Sequence, residues 1–355
     1  MVCIAAFIVL AIMSVFVGIL AIFKRDIGRK YWSTFKKAWS CVWKKVRLQK
    51  CETNFKDDIK NSLLSRVVVK KPKLVKPISA AIEILAVLIV LITVWSLVEA
   101  AKAGLSLWVF GTCNVSQPSN CSLTADVCGI DREEPANIGE ATVRWFTEWG
   151  ELFTGIPDRV RRWDARHYLP QHATFYSYEE GRPVALDILD PGCTVCLASF
   201  RNKMQDGFFD RFNVSYLPYV LINPETGDDR FPNSRLVASY LTALRFTYIA
   251  PVDEAPTPSD WRLIEKIFTE YDANGVNYQE AIKRMSEDEV KLLLDSWLLE
   301  FGADPIDIDR VRRLAASDEV ADTLLVYRHT VEDRINAKGI PTTIFNGRRH
   351  TGLYQ

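Results

Sequence analysis

At 355 residues, with 44 Lys/Arg balancing 44 Asp/Glu and 48% hydrophobic residues, the chain has room for two domains, or for one domain with membrane parts. The averages conceal segregation. Residues 1–23 carry no charge and residues 24–77 carry 17 Lys/Arg against 4 Asp/Glu, which excludes a plain cytosolic globule.

Val2 to Phe23 is an apolar run of about 22 residues. At about 1.5 Å per residue it is long enough for a hydrocarbon core of about 30 Å. A cleaved signal peptide has its positive charge before a shorter apolar stretch; here the charge follows it, so residues 1–23 are predicted as a transmembrane helix. Residues 78–102, centred on Ile84–Trp95, are predicted as a second one. The Lys/Arg bias makes 24–77 a cytoplasmic loop. The N-terminus and everything beyond about residue 102 are then extracytoplasmic, in a two-pass protein of the cell membrane. Trp32, Phe35, Trp39 and Trp43 fall on one face of a basic helix, a pattern that suits an anionic lipid surface better than nucleic acid.

Residues 103–170 read as an extracytoplasmic linker, ending in a helical lead-in from Ala141 to His167 that Pro157 breaks. Cys113, Cys121 and Cys128 lie in it, on the oxidising side of the membrane. They suggest a structural staple, Cys113 with Cys121 or with Cys128, or a second redox pair that exchanges with the motif described next. Asn114-Val-Ser, Asn120-Cys-Ser and Asn213-Val-Ser match the glycosylation sequon.

Residues 171–228 open with a predicted strand at 173–178 and a turn at Glu179–Arg182. The apolar strand Val184–Leu189 follows, then Pro191-Gly192-Cys193-Thr194-Val195-Cys196 and a helix from Leu197 to Met204. A Cys-x-x-Cys at a helix start after a strand is the geometry of a dithiol redox centre. Free backbone N–H groups and the helix dipole favour the thiolate of Cys193. Val214–Asn223 is a further strand, to run parallel to the first. Residues 229–337 turn helical; Ser286 to Glu289 is a capping box opening a helix that Gly302 ends, and Ser317 starts another. Residues 338–355 contain Gly339-Ile340-Pro341-Thr342 and an Asn346-Gly347 hairpin turn.

Cys193-x-x-Cys196, the helical insert and Ile340-Pro341-Thr342 together make roughly residues 172–351 resemble the DsbA-like thiol–disulfide oxidoreductases. The resemblance implies an α/β class: a thioredoxin-like fold with a mixed central sheet and an inserted helical domain, here preceded by two transmembrane helices. It implies a cis Pro341 packed against the cysteines, with Ile340 and Pro341 positioning substrate backbone. It also implies a buried acid six residues before the first cysteine. That position is Asp187, expected to take the proton of Cys196. The dipeptide Thr194-Val195 departs from the family's oxidising members and leaves the direction of electron flow open. The closing helix of the fold does not follow the hairpin, and the 139–168 helix is expected to cover that sheet face.

The expected activity is thiol–disulfide exchange on cysteine-containing extracytoplasmic proteins through Cys193 and Cys196. The alternatives are a non-catalytic thioredoxin-fold scaffold and a disulfide reductase relay. The membrane parts leave room for a separate redox-recycling partner. No cofactor is expected. No metal is expected either, because His167, His172, His329 and His350 are scattered and no second Cys-x-x-Cys occurs.

Overall fold

The structure, a computed structural model, describes residues 75–121, 127–247 and 257–355. The predicted span 1–23 and the aromatic stripe of the basic loop fall outside the described residues. The described chain divides into two units, one ending at Ala101 and one starting at Lys102. Helix α1 is Val75–Phe110, eight residues longer at its end than the predicted 78–102 segment. Residues 103–110 hold no proline and a single glycine, so nothing stops the helix before Gly111. There a left-handed residue (φ 79°) closes it, its N–H donating to Leu107 O at 3.0 Å. Ile84, Leu88, Leu91, Ile92 and Trp95 are exposed on it. Among the described residues, Leu91–Phe110 is the one stretch long and apolar enough to cross a membrane, by length and composition.

From Lys102 on the chain is a mixed α/β structure. Strand β1 is the two-residue Cys128–Gly129 and α2 is Ile138–Val160. Asn137 caps α2 by accepting from Glu140 N. Pro157 does not break α2 as expected. It sits in the last turn, where only one backbone bond is forfeited, and its own carbonyl still accepts from Arg161 N. Strand β2 is Val184–Leu189, with its last five residues buried. Next come α3 (Thr194–Gln205), α4 (Phe208–Arg211) and β3 (Asn213–Pro218). β2 and β3 are parallel, from Val184 opposite Asn213 to Leu189 opposite Pro218. A run of β-branched and apolar residues buried on both faces is what a central parallel pair requires.

Six helices then follow: α5 (Ser234–Phe246), α6 (Ser259–Thr269), α7 (Tyr278–Ile282), α8 (Glu287–Glu300), α9 (Pro305–Ala315) and α10 (Asp318–His329). The capping box at Ser286 and the cap at Ser317 form as the sequence predicts. α10 stops at His329 and gives way to a π-turn, Thr330–Arg334. The chain returns as β4 (Gly339–Ile340), β5 (Thr342–Phe345) and β6 (Arg348–Thr351). β5 is antiparallel to β2, and β6 to β5, so the four-stranded sheet has the order β3-β2-β5-β6. The β5–β6 turn places Asn346 and Gly347 at φ 48° and 75°, as a tight hairpin demands.

Residues 173–178 are not the strand that their composition suggests. They keep one bond to the sheet edge, Tyr176 N to Val214 O, and Tyr176 instead joins an aromatic core. That core holds Phe200, Phe209, Tyr216 and Trp261, with Trp261 fully buried. Tyr176 supplies the apolar contact from this segment, while Tyr178 stays exposed. The sequon at Asn213 is equally misleading. Asn213 is buried in β3, and its amide donates to the carbonyls of Glu179 and Arg182.

Candidate functional site

β2 delivers the chain to Asp190-Pro191-Gly192, and Cys193 is the N-cap of α3. Cys193 is fully buried, Cys196 sits buried one turn in, Thr194 is exposed and Val195 half-buried. The helical insertion grips this turn from outside. Gln279, at the start of α7, is buried, and its amide donates to Pro191 O at 2.8 Å and Cys193 O at 3.0 Å. Gly192 is required here because a Cβ would meet the Phe231 Cβ at 2.4 Å. Nothing in the sequence marks Gln279, since its partners are backbone carbonyls 86 and 88 residues away. Gln279→Leu removes the side-chain donor to Pro191 O and leaves Cys193 O with Leu197 N alone, and is expected to cost about 1–3 kcal/mol. Urea unfolding of the full chain measures it, and a loss below about 0.5 kcal/mol would mean that water replaces the amide.

The cysteines do not pair as the motif suggests. Cys113 is bonded to Cys121, closing one of the staples left open by the sequence. Cys193 is bonded to Cys128, 65 residues before it, with the Cα atoms 6.8 Å apart. Cys196 keeps a free thiol. The reason lies in strand pairing. β1 runs antiparallel to β4, with Cys128 opposite Ile340 and Gly129 opposite Gly339. Ile340–Pro341 is a cis peptide bond. Cys128 therefore joins two points of the chain that sequence separates by almost 150 residues: the sulfur of Cys193 and the backbone of Ile340, both buried.

Three charged groups lie beneath the motif. Asp187, in β2, is buried and ion-paired with Lys203 of α3; Thr343 Oγ1 also donates to it, at 2.7 Å. Lys203 was not singled out in the sequence. It stands on the same helix as the motif, on the face turned to β2, and its ammonium also donates to Thr343 Oγ1 at 2.8 Å. Asp190 is the acid on the cysteine turn itself. It accepts from Gly192 N and Leu221 N, each at 2.7 Å, and from Ser234 Oγ. Burial pushes its carboxyl up to about 6, although those three hydrogen bonds oppose the shift. Burial also pushes the Cys196 thiol well up. A backbone hydrogen bond from Asp190 and the charge of Lys203 favour the thiolate, while the carboxylates of Asp190 and Asp187 disfavour it. Asp190 and Cys196 are thus both displaced upward from their ordinary ranges at the motif.

Thiol–disulfide exchange requires a disulfide and a neighbouring thiol, and both groups are present here. One sulfur, Cys193, is already in a disulfide, and a thiol waits three residues on. Among the described residues no cluster of three or more His, Cys, Asp or Glu is arranged to hold a metal ion. Comparison with protein-family models and with curated proteins gives no match.

Proposed function

We propose that this chain is a membrane-bound thiol–disulfide oxidoreductase of thioredoxin-like fold acting on cysteine-containing extracytoplasmic proteins. The observation that carries the reading is the shared neighbour of Cys193 and Ile340–Pro341. An extended cysteine-bearing segment is paired with the backbone before Pro341 and bonded through sulfur to Cys193. That is how a protein substrate would lie on such a centre, its strand hydrogen-bonded at an open edge and its cysteine within reach of the nucleophile. The strand–helix–strand unit of β2, α3 and β3, and the antiparallel return of β5 and β6 after a helical insertion, support the thioredoxin-like part of the reading. Residues 1–23 and α1 supply the membrane attachment, with the basic loop between them on the cytoplasmic side and in contact with anionic lipid.

In the exchange, a thiolate attacks the disulfide sulfur of Cys193. The outgoing sulfur leaves as a thiolate and takes the proton that the attacking thiol gave up. Cys196 resolves mixed disulfides held on Cys193. Asp190, with its raised carboxyl, is the acceptor best matched to its proton near neutral pH, and Asp187, held by Lys203, sets the charge beneath. The full burial of Cys193 favours a second reading, a non-catalytic scaffold in which Cys128–Cys193 is a fixed cross-link.

Equilibrating the full chain with glutathione buffers separates the two. The proposal expects reversible exchange that Cys193→Ser abolishes. A reduction potential near about −120 mV would assign disulfide formation, and one near about −270 mV reduction. Exchange that survives Cys193→Ser undiminished, or a chain inert to glutathione at every ratio, would overturn it.

A further inference from the structure

We infer that the Cys128 segment is a built-in substrate strand: it occupies the site that an incoming peptide must use, and it is released by Cys196. The inference deepens the oxidoreductase reading and rests on it. Four observations place the segment there. Its two-residue strand pairs with Gly339–Ile340, and Ile130 N donates to Lys338 O at 2.9 Å, so its backbone occupies the edge before Pro341. Glycines face each other at the closest approach. A Cβ on Gly339 would meet the Val127 side chain at 2.2 Å, and one on Gly129 would meet the Ser119 backbone N at 2.4 Å. Arg230 clamps the strand, donating to Gly129 O at 2.8 Å and to the Asp131 carboxylate at 2.6 Å. Finally, Cys128 is only half-buried, whereas the Cys193 to which it is bonded has no exposure.

The release step needs no outside oxidant or reductant. The Cys196 thiolate attacks Cys193 Sγ. The Cys193–Cys128 bond breaks as the Cys193–Cys196 bond forms. Cys128 leaves as a thiolate and takes up the proton that Cys196 surrendered. Among Cys128, Cys193 and Cys196 one disulfide and one thiol remain throughout, so the two forms are isomers. With Cys128 released, the strand can leave Gly339–Ile340 and an extended cysteine peptide can take its place. A tethered strand competes at an effective concentration in the millimolar range, so it screens out peptides that pair weakly.

Two readouts on the full chain test this. In the first, the oxidised chain is acid-quenched, alkylated and digested without reduction, and its disulfide peptides are mapped. Wild type should carry both Cys128–Cys193 and Cys193–Cys196, and Cys196→Ser only the former. A wild-type chain holding only one of the two forms overturns the inference, whether or not any peptide reacts. In the second, a single-cysteine peptide is added to the oxidised chain, and its mixed disulfide with Cys193 is timed by mass spectrometry. Cys128→Ser should speed capture about tenfold or more. Arg230→Ala keeps every cysteine and loosens only the clamp, and should speed capture about threefold. Rates equal to wild type in both variants overturn the inference. Capture absent from every chain, with both disulfide isomers present, overturns the oxidoreductase reading and leaves the internal exchange standing.

Discussion

Replacing Lys203 with alanine is expected to lower the unfolding free energy by about 3–5 kcal/mol. Its ammonium is almost wholly buried against Asp187, whose side chain is 5% exposed. Removing the lysine leaves a carboxylate inside the protein with the Thr343 hydroxyl as its remaining donor and no counter-charge. The lysine also lies over the Phe208 and Tyr354 rings, so its stem leaves a cavity as well. The pair is not thereby a source of net stability, because two charges had to leave water to form it. The double change Lys203→Met with Asp187→Leu should recover most of the loss. Urea unfolding of the full chain measures both. A single-variant loss under about 1 kcal/mol would mean that the two groups do not depend on each other. The same change should alter exchange kinetics, since Lys203 favours the thiolate of Cys196.

The second large effect is a pH dependence carried by Asp190. Its carboxyl is raised from 3.8 to about 6 by complete burial. Between those values the folded chain holds a proton that the unfolded chain has lost. The unfolding free energy therefore falls as pH rises through this window and levels off above about 6. The contribution lost is on the order of 3 kcal/mol. Asp190→Asn cannot titrate and lacks this slope. It has its own cost at every pH, because an amide nitrogen would face one of the N–H donors that the carboxylate satisfies. The informative quantity is the difference between variant and wild type, which should move by about 2 kcal/mol in favour of the variant from about pH 4 to about pH 6.5. Carboxylates whose values are lowered, such as Glu151 beside Arg132 and Lys338, slope the other way but cancel in that difference. Parallel curves for the two chains would show that Asp190 is charged throughout.

Local patterns proved dependable where they speak of nearest neighbours. The apolar run of Val184–Leu189 becomes a central strand, Ser286 and Glu289 close a capping box, and Asn346-Gly347 makes the hairpin turn. Each is decided within a few residues by backbone preference and burial. The Cys-x-x-Cys likewise falls at the helix start that its flanks predict. Patterns that depended on distant surroundings fared differently. Residues 173–178 have strand composition, but they keep a single backbone bond to the sheet edge and Tyr176 packs its ring on Phe209 and Trp261. The sequon at Asn213 is sound as a string but is buried in β3.

The motif at Cys193 marks the same contrast. Sequence alone could establish that a thiol pair stands at the start of α3 behind a buried strand, because spacing and capping are local. It could also bring Ile340–Pro341 into view by resemblance. Which cysteine bonds to which depends on where strands 65 and more than 200 residues apart come to lie, and spacing carries no such information. Only the tertiary structure lays β1 against β4, sets Cys128 on Cys193, leaves Cys196 free and puts Lys203 under Asp187. Those contacts are chosen by packing and by the cost of burying unpaired charge, which are properties of the assembled core.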